Sequence, residues 1–169
     1  MIRFGIRVVS VLAATGLVSG LATSTMAAAQ TSSNARLFCH AVGYNPPEAL
    51  GDREGHSISV GEITCRVEGG PGDGGVLTGT TIYEWDKANG VLLSGIGVTR
   101  KPGATTAYQH TEGKISLVVS NGKVVGSTGS GRGRYTMATG TAASMAGKTY
   151  SYTFKTTGPG QFVVDVVND

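Results

Sequence analysis

Period-two alternation of apolar and polar residues runs through most of this chain. In residues 113–120, Ile115, Leu117 and Val119 alternate with Lys114, Ser116, Val118 and Ser120, the pattern of a strand with one face turned inward. Asn121-Gly122 follows, and both residues tolerate the positive φ of a type I′ turn. The run is therefore expected to fold back with Val119 opposite Val124 and Leu117 opposite Gly126. Asn89-Gly90 marks a second hairpin between residues 76–85 and 91–100. Residues 148–156 set Tyr150, Tyr152 and Phe154 against Thr149, Ser151 and Thr153. Residues 161–167 set Phe162, Val164 and Val166 against Val163, Asp165 and Val167. The apolar phase, including Ile115, Leu117, Val119, Val124, Tyr150, Tyr152 and Phe154, is expected to face the interior, with Lys114, Lys123 and Lys148 solvated.

Residues 55–67 break the rule. Ile58 and Val60 set one phase and Ile63, Cys65 and Val67 the other, so a β-bulge is expected at Gly61-Glu62. With residues 36–42 and 131–142 the runs number eight or nine. Sequential hairpins, a bent strand and glycines within strands favour an all-β closed antiparallel barrel of about eight strands over a sandwich. A helical turn fits only at residues 142–147.

The first 30 residues read as a secretory leader rather than as part of the fold. Arg3 and Arg7 precede an uncharged apolar run, and Ala27-Ala28-Ala29 offers the small-x-small cleavage pattern. Gly16, Gly20, Thr23, Ser24 and Thr25 make that run a poor membrane span, so no stable anchor is expected after cleavage. The expected organisation is residues 1–29 as signal peptide, 30–35 as a flexible lead and 36–169 as one domain, secreted or periplasmic.

Cleavage alters the charge. Of the 14 Lys and Arg residues, Arg3 and Arg7 leave with the leader, so twelve remain against 11 acids. The exported chain is close to neutral and its basic residues are scattered, which argues against nucleic acid as a partner. Cys39 and Cys65 are an even pair in an exported chain and are expected to form a disulfide between the first two strands.

Motifs for chemistry are sparse. Gly126-Ser-Thr-Gly-Ser-Gly-Arg-Gly133 imitates a phosphate loop, but the β-type pattern that follows leaves no helix N-terminus to hold a phosphate. His40, His56 and His110 lack metal-ligand spacing, and no serine sits in a nucleophile elbow. No metal or cofactor is expected. Glu84 and Asp86 flank a turn, where solvation explains them. Glu62, at the expected bulge, is the candidate catalytic group: turned into a cavity, it would have a raised pKa. Tyr83, Trp85, Tyr135, Met137 and Tyr152 are the candidate ligand-binding residues, since a small barrel lined by aromatics can enclose one apolar or phenolic molecule.

The stretch from Gly113-Lys-Ile-Ser-Leu-Val-Val-Ser-Asn-Gly-Lys-Val-Val-Gly126 through Gly129-x-Gly131-x-Gly133-x-Tyr135 and Ala138-Thr139-Gly140 resembles the second half of the allene oxide cyclase/dirigent barrel superfamily. Gln161-Phe162-Val163-Val164 is similar to the closing strand of that group. The resemblance implies a lipocalin-like barrel of eight strands around an apolar cavity, used in plants to cyclise a fatty-acid epoxide or to steer phenol coupling. The first half lacks the acidic, proline-containing motif of the cyclases and the cavity aspartates and arginines of dirigent proteins, so no catalytic residue carries over.

Three readings follow. The first is an exported barrel that binds a small apolar or aromatic molecule without transforming it. The second is a container-type cyclase or isomerase. The third is a structural or interaction module whose barrel is filled by its own side chains.

Overall fold

A computed structural model describes residues 34–43 and 46–169. The expected leader and its cleavage site lie outside the described residues. Nine strands follow in order: β1 (Asn34–Ala41), β2 (Glu48–Ala49), β3 (His56–Gly69), β4 (Val76–Asp86), β5 (Asn89–Lys101), β6 (Ala104–Ser120), β7 (Lys123–Gly140), β8 (Thr149–Gly158) and β9 (Gln161–Asn168). Among the described residues one 3-10 turn, Ala143–Met145, falls within the segment where a helical turn was expected. Each strand from β3 to β9 pairs antiparallel with the next, and β1 pairs with both β9 and β3. Eight strands thus close a barrel, which removes the open edges an antiparallel sheet would otherwise expose. The two-residue β2 lies outside it against Ser57 and Ile58. β1 begins at Asn34, so residues 34–35, expected in the flexible lead, belong to a strand.

Cys39 and Cys65 are direct cross-strand partners of β1 and β3 and form a disulfide with Cα atoms 4.0 Å apart, slightly closer than the usual range. Both are 2% exposed and face inward, beside Leu37, Val67, Leu77 and Val166.

Four expectations about register are corrected. β3 holds one continuous register with β4, with no bulge at Gly61-Glu62. Its inward positions are Ser57, Ser59, Gly61, Ile63, Cys65 and Val67, while Ile58 and Val60 face out. The apolar pair misled because the inner wall is polar here for a reason: Ser59 Oγ accepts a hydrogen bond from Trp85 Nε1 at 2.8 Å. The bulges lie elsewhere, with Leu93, Thr111, Thr136 and Val125 as the extra residues where register shifts interrupt the β4–β5 and β6–β7 ladders. The second hairpin turns at Lys87-Ala88, with Lys87 at φ 55°, and Asn89-Gly90 already pairs with Asp86 and Trp85 in the ladder.

The Asn121-Gly122 turn has both residues at positive φ (50° and 73°), and Val119 does pair with Val124. The bulge at Val125 then places Leu117 opposite Ser127, not Gly126. This hairpin also overruns its neighbours. β5 stops pairing at Asn89–Ser116 and β8 at Thr128–Lys155, leaving Val119 and Val124 in the inward phase but beyond the barrel, 55% and 60% exposed. Ile115, Tyr150, Tyr152 and Phe154 line the interior as expected, and Lys114, Lys123 and Lys148 are exposed.

Candidate functional site: an aromatic cavity inside the barrel

The interior is not filled. A cavity of about 290 Å³ runs inside the wall, bordered by inward residues of all eight barrel strands and by Pro71 and Gly72 of the β3–β4 loop. Ligand pockets typically span roughly 300–1,000 Å³, so this one suits a small molecule.

One side of the interior is a layer of tyrosines held over glycines. The β7–β8 register puts Gly129 opposite Phe154, Gly131 opposite Tyr152 and Gly133 opposite Tyr150. A Cβ on Gly131 would meet the Tyr152 hydroxyl at 2.5 Å, and one on Gly133 would collide with Tyr150. The glycine spacing of β7 therefore lets the rings of β8 lie flat along the neighbouring strand, an arrangement that also covers the glycine backbone. The β7 glycines leave no open space of their own, because the rings occupy it. Open space lies against β3 and β4. A Cβ on Gly61, which borders the cavity, would meet only Thr81 Oγ1, at 3.3 Å.

His110 sits in the tyrosine layer. Its ring centroid is 4.5 Å from that of Tyr152 and 5.1 Å from that of Tyr108, and its Nδ1 shares a 3.1 Å hydrogen bond with the Tyr150 hydroxyl. Burial pushes its pKa down to about 4, so the imidazole is neutral near pH 7. Burial likewise raises the hydroxyls of Tyr83, Tyr108, Tyr150 and Tyr152, and takes Tyr135 up to about 12. These groups are hydrogen-bonding phenols, not acids or bases at physiological pH. Tyr135 donates to Asn168 Oδ1 at 2.8 Å. Tyr152 Oη, in contrast, is buried with no hydrogen-bond partner. The Tyr83 hydroxyl is close enough to interact with it, but not in hydrogen-bonding geometry.

Of the residues singled out in the sequence, Tyr83, Trp85, Tyr135 and Tyr152 border the cavity. Met137 does not: the bulge at Thr136 flips the alternation after Tyr135, pairs Met137 with Ala107 and leaves it 49% exposed on the outer face. Glu62 also lies outside, exposed opposite Thr80, because β3 lacks the bulge that would turn it inward. It is no candidate for chemistry inside the barrel. Sequence reasoning missed His110, although Thr106, Tyr108 and His110 share one strand phase and the signal was readable there.

A second polar cluster lies on the outer face. His56, 7% exposed, offers Nδ1 to Asp52 at 2.5 Å and Nε2 to Glu84 at 2.7 Å. Two carboxylates on the two ring nitrogens require both to carry protons, so the Asp52 and Glu84 hydrogen bonds raise the His56 pKa and the His56 bond lowers that of Asp52. This clasp pins the segment before β3 to β4. Among the described residues no group of three or more His, Cys, Asp or Glu could hold a metal ion.

Compared with protein-family models, curated proteins and solved structures, the chain matches none of them. The reading of function rests on the cavity itself.

Proposed function

We propose that this protein is an exported barrel that binds a small apolar or aromatic molecule inside its cavity and releases it unchanged. The observation that carries the reading is a preformed interior space walled by aromatic and aliphatic side chains, with hydroxyls and one neutral imidazole as its polar groups. A ligand that buries about 250 Å² of apolar surface gains about 6 kcal/mol, which corresponds to a Kd in the tens of micromolar. The Cys39–Cys65 disulfide is compatible with an oxidising compartment and supports secretion or a periplasmic location.

Trp85, the sole tryptophan, borders the cavity and serves as the reporter. Titration with small aromatics and phenols should change its fluorescence saturably. Gly61→Leu, which fills the open space beside β3, should abolish the change while the protein stays folded. An unchanged response in that variant would move binding away from the cavity. The container-cyclase alternative keeps the support of the glycine-patterned β6–β7 hairpin and the eight-stranded barrel that the resemblance implies. It predicts that a bound ligand is recovered as an isomer.

A further inference from the structure

Charge is divided across the barrel. Eight of the 11 acids lie between Glu48 and Asp86, on β2, β3, β4 and their loops. Between Glu112 and Asp165 the sequence holds no acid, yet it holds Lys114, Lys123, Arg132, Arg134, Lys148 and Lys155. All six are exposed. Among the described residues none of them is in an ion pair, whereas Arg36, Arg53 and Arg66 are. In the closed order of strands β7 lies four strands from β3 in either direction. Basic residues that are spread along the sequence thus gather on the side of the barrel opposite most of the acids.

The same side carries the hairpin that overruns the barrel. β6 pairs with β5 as far as Ser116 and β7 with β8 from Thr128, so from Val118 to Gly126 the two strands pair only with each other. Five residues separate Ser116 from the turn at Asn121, a projection of about 16 Å along the strand. Val118, Val119, Val124 and Val125 are 40–60% exposed on it. Val118 and Val119 are adjacent in the strand and therefore face opposite ways. Lys123 sits at the tip, and Lys114 and Lys155, opposite Ser130 and Thr128, flank the base.

Valines interleaved with unpaired cations select among the occupants of such a surface. A second copy of the chain, meeting tip to tip, would set Lys123 against Lys123 with no acid anywhere in the hairpin to offset it. A soluble polyanion would use the lysines and leave the valines in water. An anionic lipid surface uses both, since apolar side chains enter the headgroup layer while basic ones meet the phosphates. Insertion would be shallow, because the hairpin's open backbone edges need water that the hydrocarbon core does not supply.

We propose that this protein docks reversibly on anionic lipid surfaces through the β6–β7 hairpin, its valines entering the headgroup layer and Lys114, Lys123 and Lys155 pairing with lipid phosphates. The role is independent of what the cavity holds.

The test sediments the exported protein with vesicles of phosphatidylcholine, alone or with about 30% phosphatidylglycerol. Binding to the anionic vesicles should be about tenfold or more tighter than to the neutral ones, and that margin should vanish as NaCl is raised to about 0.5 M. Val119→Ser combined with Val124→Ser, and separately Lys123→Glu, should each weaken binding to the anionic vesicles about tenfold. Their thermal midpoints should stay within about 2 °C of wild type, since both changes lie beyond the barrel. Arg100→Glu makes the same change in net charge at the other end of β5 and should alter binding less than about twofold. No preference for anionic vesicles, or equal losses in Lys123→Glu and Arg100→Glu, overturns the inference. A lipid-free dimer that the valine variant abolishes would assign the hairpin to a second copy and overturn it too. So would binding to heparin that matches binding to the vesicles and ignores the valine substitutions.

Discussion

The disulfide closes a loop of known length, so its contribution can be worked out before any measurement. Cys39 and Cys65 are separated by 26 positions. In the chain-entropy description, constraining a loop of that size in the unfolded state stabilises the fold by about 3.5 kcal/mol at 25 °C. Small domains unfold with total free energies of about 5–15 kcal/mol, so this one bond carries a large fraction of the whole. Its position adds to that. β1 is eight residues long and takes part in two pairings, one to β9 and one to β3. The bond fastens one of those pairings at its middle, and both sulfurs lie in the core.

Two perturbations separate the effects. Reducing the bond keeps both sulfurs and removes only the constraint. Replacing both residues by alanine also deletes two buried sulfur atoms, for a further cost of about 1 kcal/mol each in lost burial and residual cavity. Urea unfolding followed by Trp85 fluorescence gives the comparison. With m near about 2 kcal/mol/M for a domain of this size, reduction should lower the midpoint by roughly 2 M, and the double alanine variant should fall further. The slope itself should rise on reduction, because an uncrosslinked chain exposes more surface when it unfolds. A reduced protein with two titratable thiols that unfolds within about 0.5 M of the oxidised midpoint would refute the reasoning. β1 would then be held by its pairing with β9, and the unfolded chain would gain little from release.

The outer clasp makes a pH prediction. The raised His56 pKa gives stability that is fully present below its unfolded value of 6.5 and is lost as pH rises through the folded pKa; the lowered Asp52 pKa gives stability present above 3.8 and lost as pH falls through the depressed value. The difference in thermal midpoint between wild type and His56→Gln should thus be largest near pH 5–6 and shrink on the alkaline side, and a difference that grows with pH would contradict the assignment. Gly133→Ala should cost about 1–3 kcal/mol in urea unfolding by forcing Tyr150 off its strand, while Gly61→Ala, which meets only Thr81 Oγ1, should cost far less; equal losses would show that the rings do not rest on β7 as described.

Strand alternation and turn chemistry were legible wherever a strand is regular. Tyr150, Tyr152 and Phe154 lie inside because β8 has no bulge between them, and Asn121-Gly122 turns as its residue types demand. The disulfide could be read from cysteine parity and the leader-like pattern of the first 30 residues. What misled was irregularity that leaves no compositional trace. Thr136 gives no sign of being an extra residue, yet it moves Met137 to the outer face. Ile58 and Val60 mark the apolar phase of their segment, yet Ser59 of the other phase faces inward and satisfies a buried indole. In each case a tertiary requirement, closure of the barrel or a partner for Trp85, outweighed the local period. Glu62 failed as a site residue for the same reason, since its inward turn depended on a bulge that β3 does not contain.

The glycines of β7 and the chemistry of the cavity are linked by one steric fact. A tyrosine can lie along a neighbouring strand only where that strand lacks a side chain, so Gly131 and Gly133 determine that the adjoining wall consists of phenol rings and not of aliphatic side chains. Rings lying flat take up less depth than rings standing upright, which is how an eight-stranded barrel this rich in aromatics still keeps open volume beside Gly61. They also bring hydroxyls inside a wall that carries no formal charge. Burial then holds those hydroxyls protonated, which makes them donors at any physiological pH. Volume and neutrality thus arise from the same alternation of glycine and tyrosine across β7 and β8. A change that disturbs the alternation, such as a β-branched residue at Gly131, should alter the cavity directly: the displaced Tyr152 ring would enter it and shrink it, and small aromatics should perturb Trp85 fluorescence less than in the wild type.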